Sequence, residues 1–437
     1  RILRSCDYQT TQKPLQAFRA SLAIDRLQEI NSDNLQTDLH SISANPNANQ
    51  NMTTVTPNDV TLTTPTGVQT CLLNTPFASH TITPLSGGTA NFAYRLHLDA
   101  PFERQETLVL KHAQPYVKDF VGMAFGLERQ TFEAEAMMRV RAWAPADSVV
   151  TVPKVYRVDK EHNIIIMEDC GDDVLTLKDF LQSPSSPCPP DLARAIGTSL
   201  GHFLASMHAW SQANPEEILD LFEKNQQAKM LSAWATYGRL VATLEQSEGE
   251  VVSKLSDPPI GIELEDRERV MGVLGGLAGR MRERMLSYRD VFVMGDFWPG
   301  NIMVKLDADR QLQHLYILDW ELAKPGLPGV EIGQFCAEID LLRRFVPSSE
   351  EATSTILSTF LQAYADSSEP TLDVGVGRDA LAHWGVHLAV WTPHVELGGK
   401  QKTRDVVKEG VKLLVAAAEG TDADLRTSLV GPLVPKD

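Results

Sequence analysis

The chain has 437 residues, 43% of them hydrophobic, which is enough for a sizeable core and more than a single domain usually takes. A formal net charge of −17 argues against nonspecific binding to nucleic acid or to an anionic membrane, since both need a concentrated positive surface. No apolar run approaches the roughly 20 residues that cross a bilayer, the opening "RILRSCDYQT" lacks the apolar stretch of a secretory signal, and five scattered cysteines without a C-x-x-C pair read as free thiols. The expectation is a soluble, cytoplasmic protein of two lobes.

Residues 1–75 are polar and rich in Asn, Thr and Ser, a composition that buries too little apolar area to offset chain ordering; a largely disordered leader is predicted, with one helix over about Gln16 to Ile30. From 76 to 170 the pattern changes to short strands, "TITPLS", "ANFAYRLHL", "ETLVLKHA", "KVYRVD" and "NIIIMED", with one helix around "ERQTFEAEAMMRVRAWA". From 171 to 437 long amphipathic helices dominate, such as "DLARAIGTSLGHFLASMHAW", which starts at Asp191 after the loop "SPSSPCPP". A small strand-rich lobe therefore precedes a larger helical lobe, an α+β arrangement.

In the small lobe Gly87 and Gly88 stand between two strands. Glycine lets a backbone turn tightly and approach a phosphate, although paired glycines between strands are more often a plain hairpin turn. The strand "TLVLKHA" carries Lys111, and the next helix offers Glu133 and Glu135; a strand lysine paired with a helical carboxylate can hold an ammonium against nucleotide phosphates, while a lone surface lysine is the simpler alternative.

In "VFVMGDFWPGNIMVKLDADRQLQHLYILDWE", the segments "IMVKL" and "LYIL" around the turn "DADRQ" predict an antiparallel hairpin. Asn301 immediately precedes its first strand and Asp319 immediately follows its second, so the hairpin's open end makes them neighbours. Asp296 lies in the loop above. An amide oxygen and a carboxylate at one end are hard oxygen ligands suited to Mg²⁺. A second carboxylate close by can accept the proton of an attacking hydroxyl. Turn or capping duty explains these residues singly but not their convergence.

The blocks "GDFWPGNIMV" and "LDWE" resemble the catalytic loop and metal-binding segment of the aminoglycoside phosphotransferase and choline kinase group. "LKHAQPYVKDFVGMAFGLERQTFEAEAM" resembles methylthioribose kinases, and "IIIMEDCGD" is similar to that group's interlobe hinge. The resemblance, over about residues 80 to 340, implies a bilobal protein-kinase-like fold and an ATP- and Mg²⁺-dependent phosphotransferase acting on a hydroxyl of a small molecule such as an amino sugar, amino alcohol or sugar. It gives Asp296 the role of catalytic base or hydroxyl-orienting group, Asn301 and Asp319 the Mg²⁺, Lys111 the phosphates, Glu133 the lysine's partner, and Met167, Glu168, Asp169 and Cys170 the hinge that holds adenine. Gly87 and Gly88 join the nucleotide site.

The sequence departs from the family at Met294, where a loop-bracing histidine is usual. It also lacks the paired arginines of methylthioribose kinases in the compared helix "HWGVHLAVWTPHV"; Arg343 and Arg344 fall elsewhere, so methylthioribose is not the expected substrate. His202 and His208 read as packing or polar-network residues. Trp384 and Trp391 can line a substrate pocket, but core packing is the stronger expectation. A protein kinase is disfavoured because no A-P-E-type segment follows "LDWE". A nucleotide-binding scaffold without catalysis is the alternative from another class.

Overall fold

A computed structural model describes residues 61–183, 187–247, 249–368, 372–394 and 398–435. The predicted helix over Gln16 to Ile30 lies outside these residues. The chain divides into two compact units, one running to Gln130 and including Val155–Asp169, the other made of Thr131–Lys154 and Cys170–Asp437.

The first unit is built on strands β1 (Ser79–Pro84), β2 (Phe92–Phe102), β3 (Gln105–His112), β7 (Val155–Asp159) and β8 (Ile164–Glu168), antiparallel in the order β1-β2-β3-β8-β7. Period-two alternation puts Tyr94, Leu96 and Leu98 of β2 and Leu108 and Leu110 of β3 in one core with Ile164 and Ile166. Burying each such side chain contributes about 1.5–3 kcal/mol. The core is covered by helix α1 (Pro65–Leu72), whose N-cap Thr64 accepts from the Gly67 N–H at 3.1 Å and which buries Val68 and Leu72. Residues 61–75 are thus part of this unit, and the segment expected to be a disordered leader is folded there: three apolar side chains, Leu62, Val68 and Leu72, with Phe77 just beyond it, supply the burial that its composition as a whole does not suggest.

The short hairpin of β4 (Tyr116–Val117) and β5 (Phe120–Ala124) follows, then helix α2 (Glu128–Trp143). At its start the buried Arg129 donates to Asn91 Oδ1 at 2.8 Å and to the carbonyls of Gln114, Phe125 and Gly126, tying three loops of the unit together.

The remainder of α2 belongs to the second unit, together with β6 (Val150–Thr151), which pairs in parallel with β12 (Leu312–Ile317). The boundary expected at residue 170 is therefore interrupted: 131–154 travels with the helical unit because its strand completes a sheet there, in the order β6-β12-β11-β9, with β11 at Ile302–Leu306 and β9 at Leu175–Thr176. A second small sheet joins β10 (Phe292–Val293) to β13 (Lys324–Pro325).

The helices of this unit are α3 (Leu177–Gln182), α4 (Pro190–Ala213), α5 (Pro215–Phe222), α6 (Gln226–Ala233), α7 (Leu240–Glu245), α8 (Arg267–Ser287), α9 (Pro328–Phe345), α10 (Glu350–Ser368), α11 (Val374–Val390), α12 (Gly399–Glu419) and α13 (Asp422–Arg426). On α4, Leu192, Ile196, Leu200, Phe203, Leu204 and Met207 are buried at helical spacing. That face packs on α10, while α9 packs on α11 and α11 on α12. Among the described residues no helix is long and apolar enough to cross a membrane. Cys71, Cys170, Cys188 and Cys336 are free thiols.

Candidate active site

The hairpin forms as its sequence predicts: Ile302 faces Ile317 across β11 and β12, and the Leu318 N–H donates to the Asn301 carbonyl at 2.8 Å. Asn301 and Asp319 are thereby fixed at the open end. Asp319 has φ +66°, a left-handed conformation that a non-glycine residue adopts at a cost of about 1–2 kcal/mol and that Asx residues tolerate best.

Asp296 is held on both oxygens. Gln334 of α9 donates to its Oδ1 at 2.6 Å, and Asn301 Nδ2 donates to its Oδ2 at 3.1 Å and to its carbonyl at 3.0 Å. Asn301 spends its amide nitrogen on these bonds, which leaves Oδ1, the atom a hard cation takes, uncommitted to Asp296.

Asp319 also lies with Glu133 of α2 and Glu321, one carboxylate oxygen of each within 4.8 Å of the others. Of these, Glu133 and Glu321 are 1% and 6% exposed. Three carboxylates at that spacing repel unless cations or protons intervene, and hard oxygen donors are what Mg²⁺ or Ca²⁺ selects. The donor set therefore fits a divalent ion. Glu321 was not singled out by the sequence, since one carboxylate after a strand reads as a solvated end. Glu135 is less buried and pairs with Arg139 one helical turn on.

Met294 is fully buried. The brace that a histidine there would provide comes instead from Glu331 of α9, whose Oε1 accepts the Gly295 N–H at 3.0 Å. Its Oε2 is bonded to His208 Nε2 at 3.0 Å, and His208 Nδ1 meets the Tyr364 hydroxyl at 2.9 Å. His208 is a polar-network residue, as expected; His202 is exposed and bonded to Ser367. Gly295 has φ +89°, and a Cβ there would collide with the Leu322 carbonyl and the Lys324 ammonium. Lys324 is 4% exposed, and burial pushes its pKa down to about 8 against the pull of Glu331 and Asp296, with Lys229 lowering it further.

In the first unit, Lys111 is 8% exposed on β3, opposite Ala93 and Ile165, and its carbonyl accepts from Gln130 Nε2 at 3.1 Å. Gly87 has φ +116°, and neither it nor Gly88 has an atom closer than 3.9 Å to where a Cβ would stand, so the loop is open to an approaching group. The β4–β5 hairpin lies against it, with Lys118 Nζ donating to the Gly88 carbonyl at 2.7 Å. Met167 and Glu168 end β8, and the Asp169 carboxylate is committed to Arg95, leaving only its backbone for a ligand. Cys170, in the second unit, is buried with Val174 and Tyr316. Trp384 is a core residue that donates to Asp340 at 3.3 Å, whereas Trp391 is half-buried.

An antiparallel unit with a buried strand lysine, and a helical unit with an Asp-Asn-Asp set at a hairpin mouth, make up a kinase-like phosphotransferase. The profile of the phosphotransferase enzyme family (APH) matches residues 81–373, about two thirds of the sequence, and the chain belongs to that family. It is 28% identical over 334 residues to a 4-hydroxytryptamine kinase of Psilocybe cubensis, which covers 75% of this chain and 84% of that protein. A methylthioribose kinase of Geobacillus kaustophilus (strain HTA426) is 24% identical over 244 residues, 54% of this chain and 55% of that protein. Choline kinase LicA from Streptococcus pneumoniae aligns over 77% of this chain and 93% of its own at 14% identity and a TM-score of 0.38. The relatives named here are kinases of small molecules, and this chain is an enzyme of that class.

Proposed function

We propose that the protein transfers the γ-phosphoryl group of ATP to a hydroxyl of a small molecule. The observation that carries this reading is the pinning of Asp296 by Gln334 and Asn301, with Asn301 at the hairpin mouth that ends in Asp319. Lys111 serves the phosphates, the backbone of Gly87 and Gly88 approaches them, and the backbone of Met167, Glu168, Asp169 and Cys170 holds adenine. Asn301 and Asp319 would hold Mg²⁺, with Glu321 and Glu133 beside Asp319; Glu133 would serve there in addition to its expected place on the helix that serves Lys111. The ion supplies charge neutralisation on the phosphate oxygens.

In the transfer the acceptor oxygen forms a bond to Pγ as the bond from Pγ to the bridging oxygen of ADP breaks. Asp296 orients the hydroxyl and takes its proton. Fixing the carboxylate on both oxygens keeps it aimed without reorganisation, and proton transfer of this kind contributes about 10²–10⁴-fold. Relatives named as 4-hydroxytryptamine kinase and methylthioribose kinase support a small acceptor.

The test follows ADP release with Mg·ATP and a panel of 4-hydroxytryptamine, choline and methylthioribose. Release stimulated by at least one of them, and lost in Asp296→Asn, is the expected result. Unchanged turnover in Asp296→Asn means the assigned mechanism is wrong.

A further inference from the structure

In the first unit, the loop of residues 85–91 between β1 and β2 is gripped through its carbonyls. Its base is closed by the Leu85 N–H, which donates to the Ala93 carbonyl at 2.9 Å, and its far end by Asn91, whose Oδ1 accepts from Arg129 at 2.8 Å. Between these points the β4–β5 hairpin takes three successive carbonyls. The Lys118 ammonium donates to that of Gly88 at 2.7 Å, the Asp119 N–H to that of Thr89 at 3.1 Å and the Lys118 N–H to that of Ala90 at 3.2 Å.

Lys118 and Asp119 are the two turn residues of this hairpin, since Val117 pairs with Phe120. Neither has the positive φ that the favoured two-residue hairpin turns require. Both backbone N–H groups, which such a turn ordinarily leaves to water, are spent on the neighbouring loop. The turn is therefore built to hold that loop rather than merely to reverse the chain.

The grip fixes where the loop's own donors point. In a trans peptide the C=O of one residue and the N–H of the next point in opposite directions. Drawing the carbonyls of Gly88, Thr89 and Ala90 to the hairpin turns the N–H groups of Thr89, Ala90 and Asn91 to the loop's other side. Successive N–H groups on one side form a nest that binds anions. Among the described residues no acceptor takes the N–H of Thr89 or Ala90. The approach is open at Gly87 and Gly88, where an added Cβ would meet nothing closer than 3.9 Å. A cation is also at hand: Ala93, at the loop's base, stands directly opposite Lys111 on β3.

We infer that residues 88–91 form an anion nest for the nucleotide's phosphate chain, with the N–H groups of Thr89 and Ala90 as its donors and Lys118 as the positioning residue that keeps it in shape. The inference rests on the phosphotransferase reading above and adds the donor atoms and the side chain that sets them. A loop held in its binding shape before the ligand arrives escapes the ordering cost that weakens association.

The experiment is calorimetric titration of the full chain with adenosine, AMP, ADP and ATP, for the wild type, Lys118→Met and Lys118→Arg, with melting measured for each. Methionine keeps the stem and removes the donor, whereas arginine keeps charge and donors. In Lys118→Met the affinity for ADP and ATP is expected to fall about tenfold, the loss of one charge-assisted hydrogen bond, while adenosine binds as it does to wild type and the melting temperature stays close to it. Lys118→Arg is expected to recover most of the loss. Unchanged ATP affinity in Lys118→Met, an equal loss for adenosine and ATP, or an arginine variant no better than methionine overturns the inference. A wild type that binds ATP more tightly than adenosine leaves the phosphotransferase reading standing in each of those cases; a wild type that binds no ATP overturns both.

Discussion

Glu331 Oε1 accepts the Gly295 N–H at 3.0 Å while its Oε2 holds His208 Nε2 at the same distance, so one buried carboxylate joins the loop that carries Asp296 to helix α4. The chain continues to the Tyr364 hydroxyl on α10. Three helices thereby fix the backbone immediately before Asp296, and Met294 has no polar work to do.

Replacing Glu331 by Gln keeps the shape but removes a charge whose surroundings include Lys324 and His208. Weakening charge-assisted hydrogen bonds in a buried site costs about 1–3 kcal/mol. Thermal melting of Glu331→Gln is expected to fall by several degrees. Turnover is expected to drop at least tenfold with the KM for ATP little changed, because the loop, not the nucleotide site, loses its brace. Wild-type turnover in this variant means that Glu331 does not position Asp296.

Asp319 gives a second prediction, since its φ of +66° constrains which substitutions are informative. Asn tolerates the left-handed conformation, so Asp319→Asn removes the charge and spares the backbone; Ala adds a strain of about 1–2 kcal/mol. In Asp319→Asn the Mg²⁺ concentration for half-maximal ADP release is expected to rise at least tenfold, with melting close to wild type. An unaltered Mg²⁺ dependence removes Asp319 from the metal site.

The pair Asn301 and Asp319 was legible because a short antiparallel hairpin is a local object: its turn and alternation fix the register, and the register fixes which residues share its open end. The brace was not legible. Glu331 stands 36 residues from Gly295 and 123 from His208, on helices whose apolar periodicity gives no sign that one carboxylate points inward. The grouping of residues 131–154 with the helical unit was not legible, because the two-residue strand β6 finds its partner β12 more than 150 residues later, and so short a strand carries no pattern of its own. The folding of residues 61–75 was missed because a few apolar side chains are diluted by the polar composition around them.

Lys324 yields the last prediction. Its Nζ donates to the Leu322 carbonyl at 3.1 Å, and it is 4% exposed beside Gly295. Burial lowers its pKa from 10.5 to about 8 despite Glu331 and Asp296. Between those values the unfolded chain carries a proton that the folded chain lacks, so this group makes stability rise with pH across that window. Below the folded-state pKa the charged lysine opposes folding by roughly 3 kcal/mol. Lys324→Met removes the penalty and its pH dependence, offset in part by the lost hydrogen bond. The melting temperature of the methionine variant relative to wild type is therefore expected to be highest near pH 7 and to decline as pH rises from 8 to 10. A difference that stays constant over that range means that Lys324 keeps an ordinary pKa in the fold, and that the carboxylates of Glu331 and Asp296 fully compensate its burial.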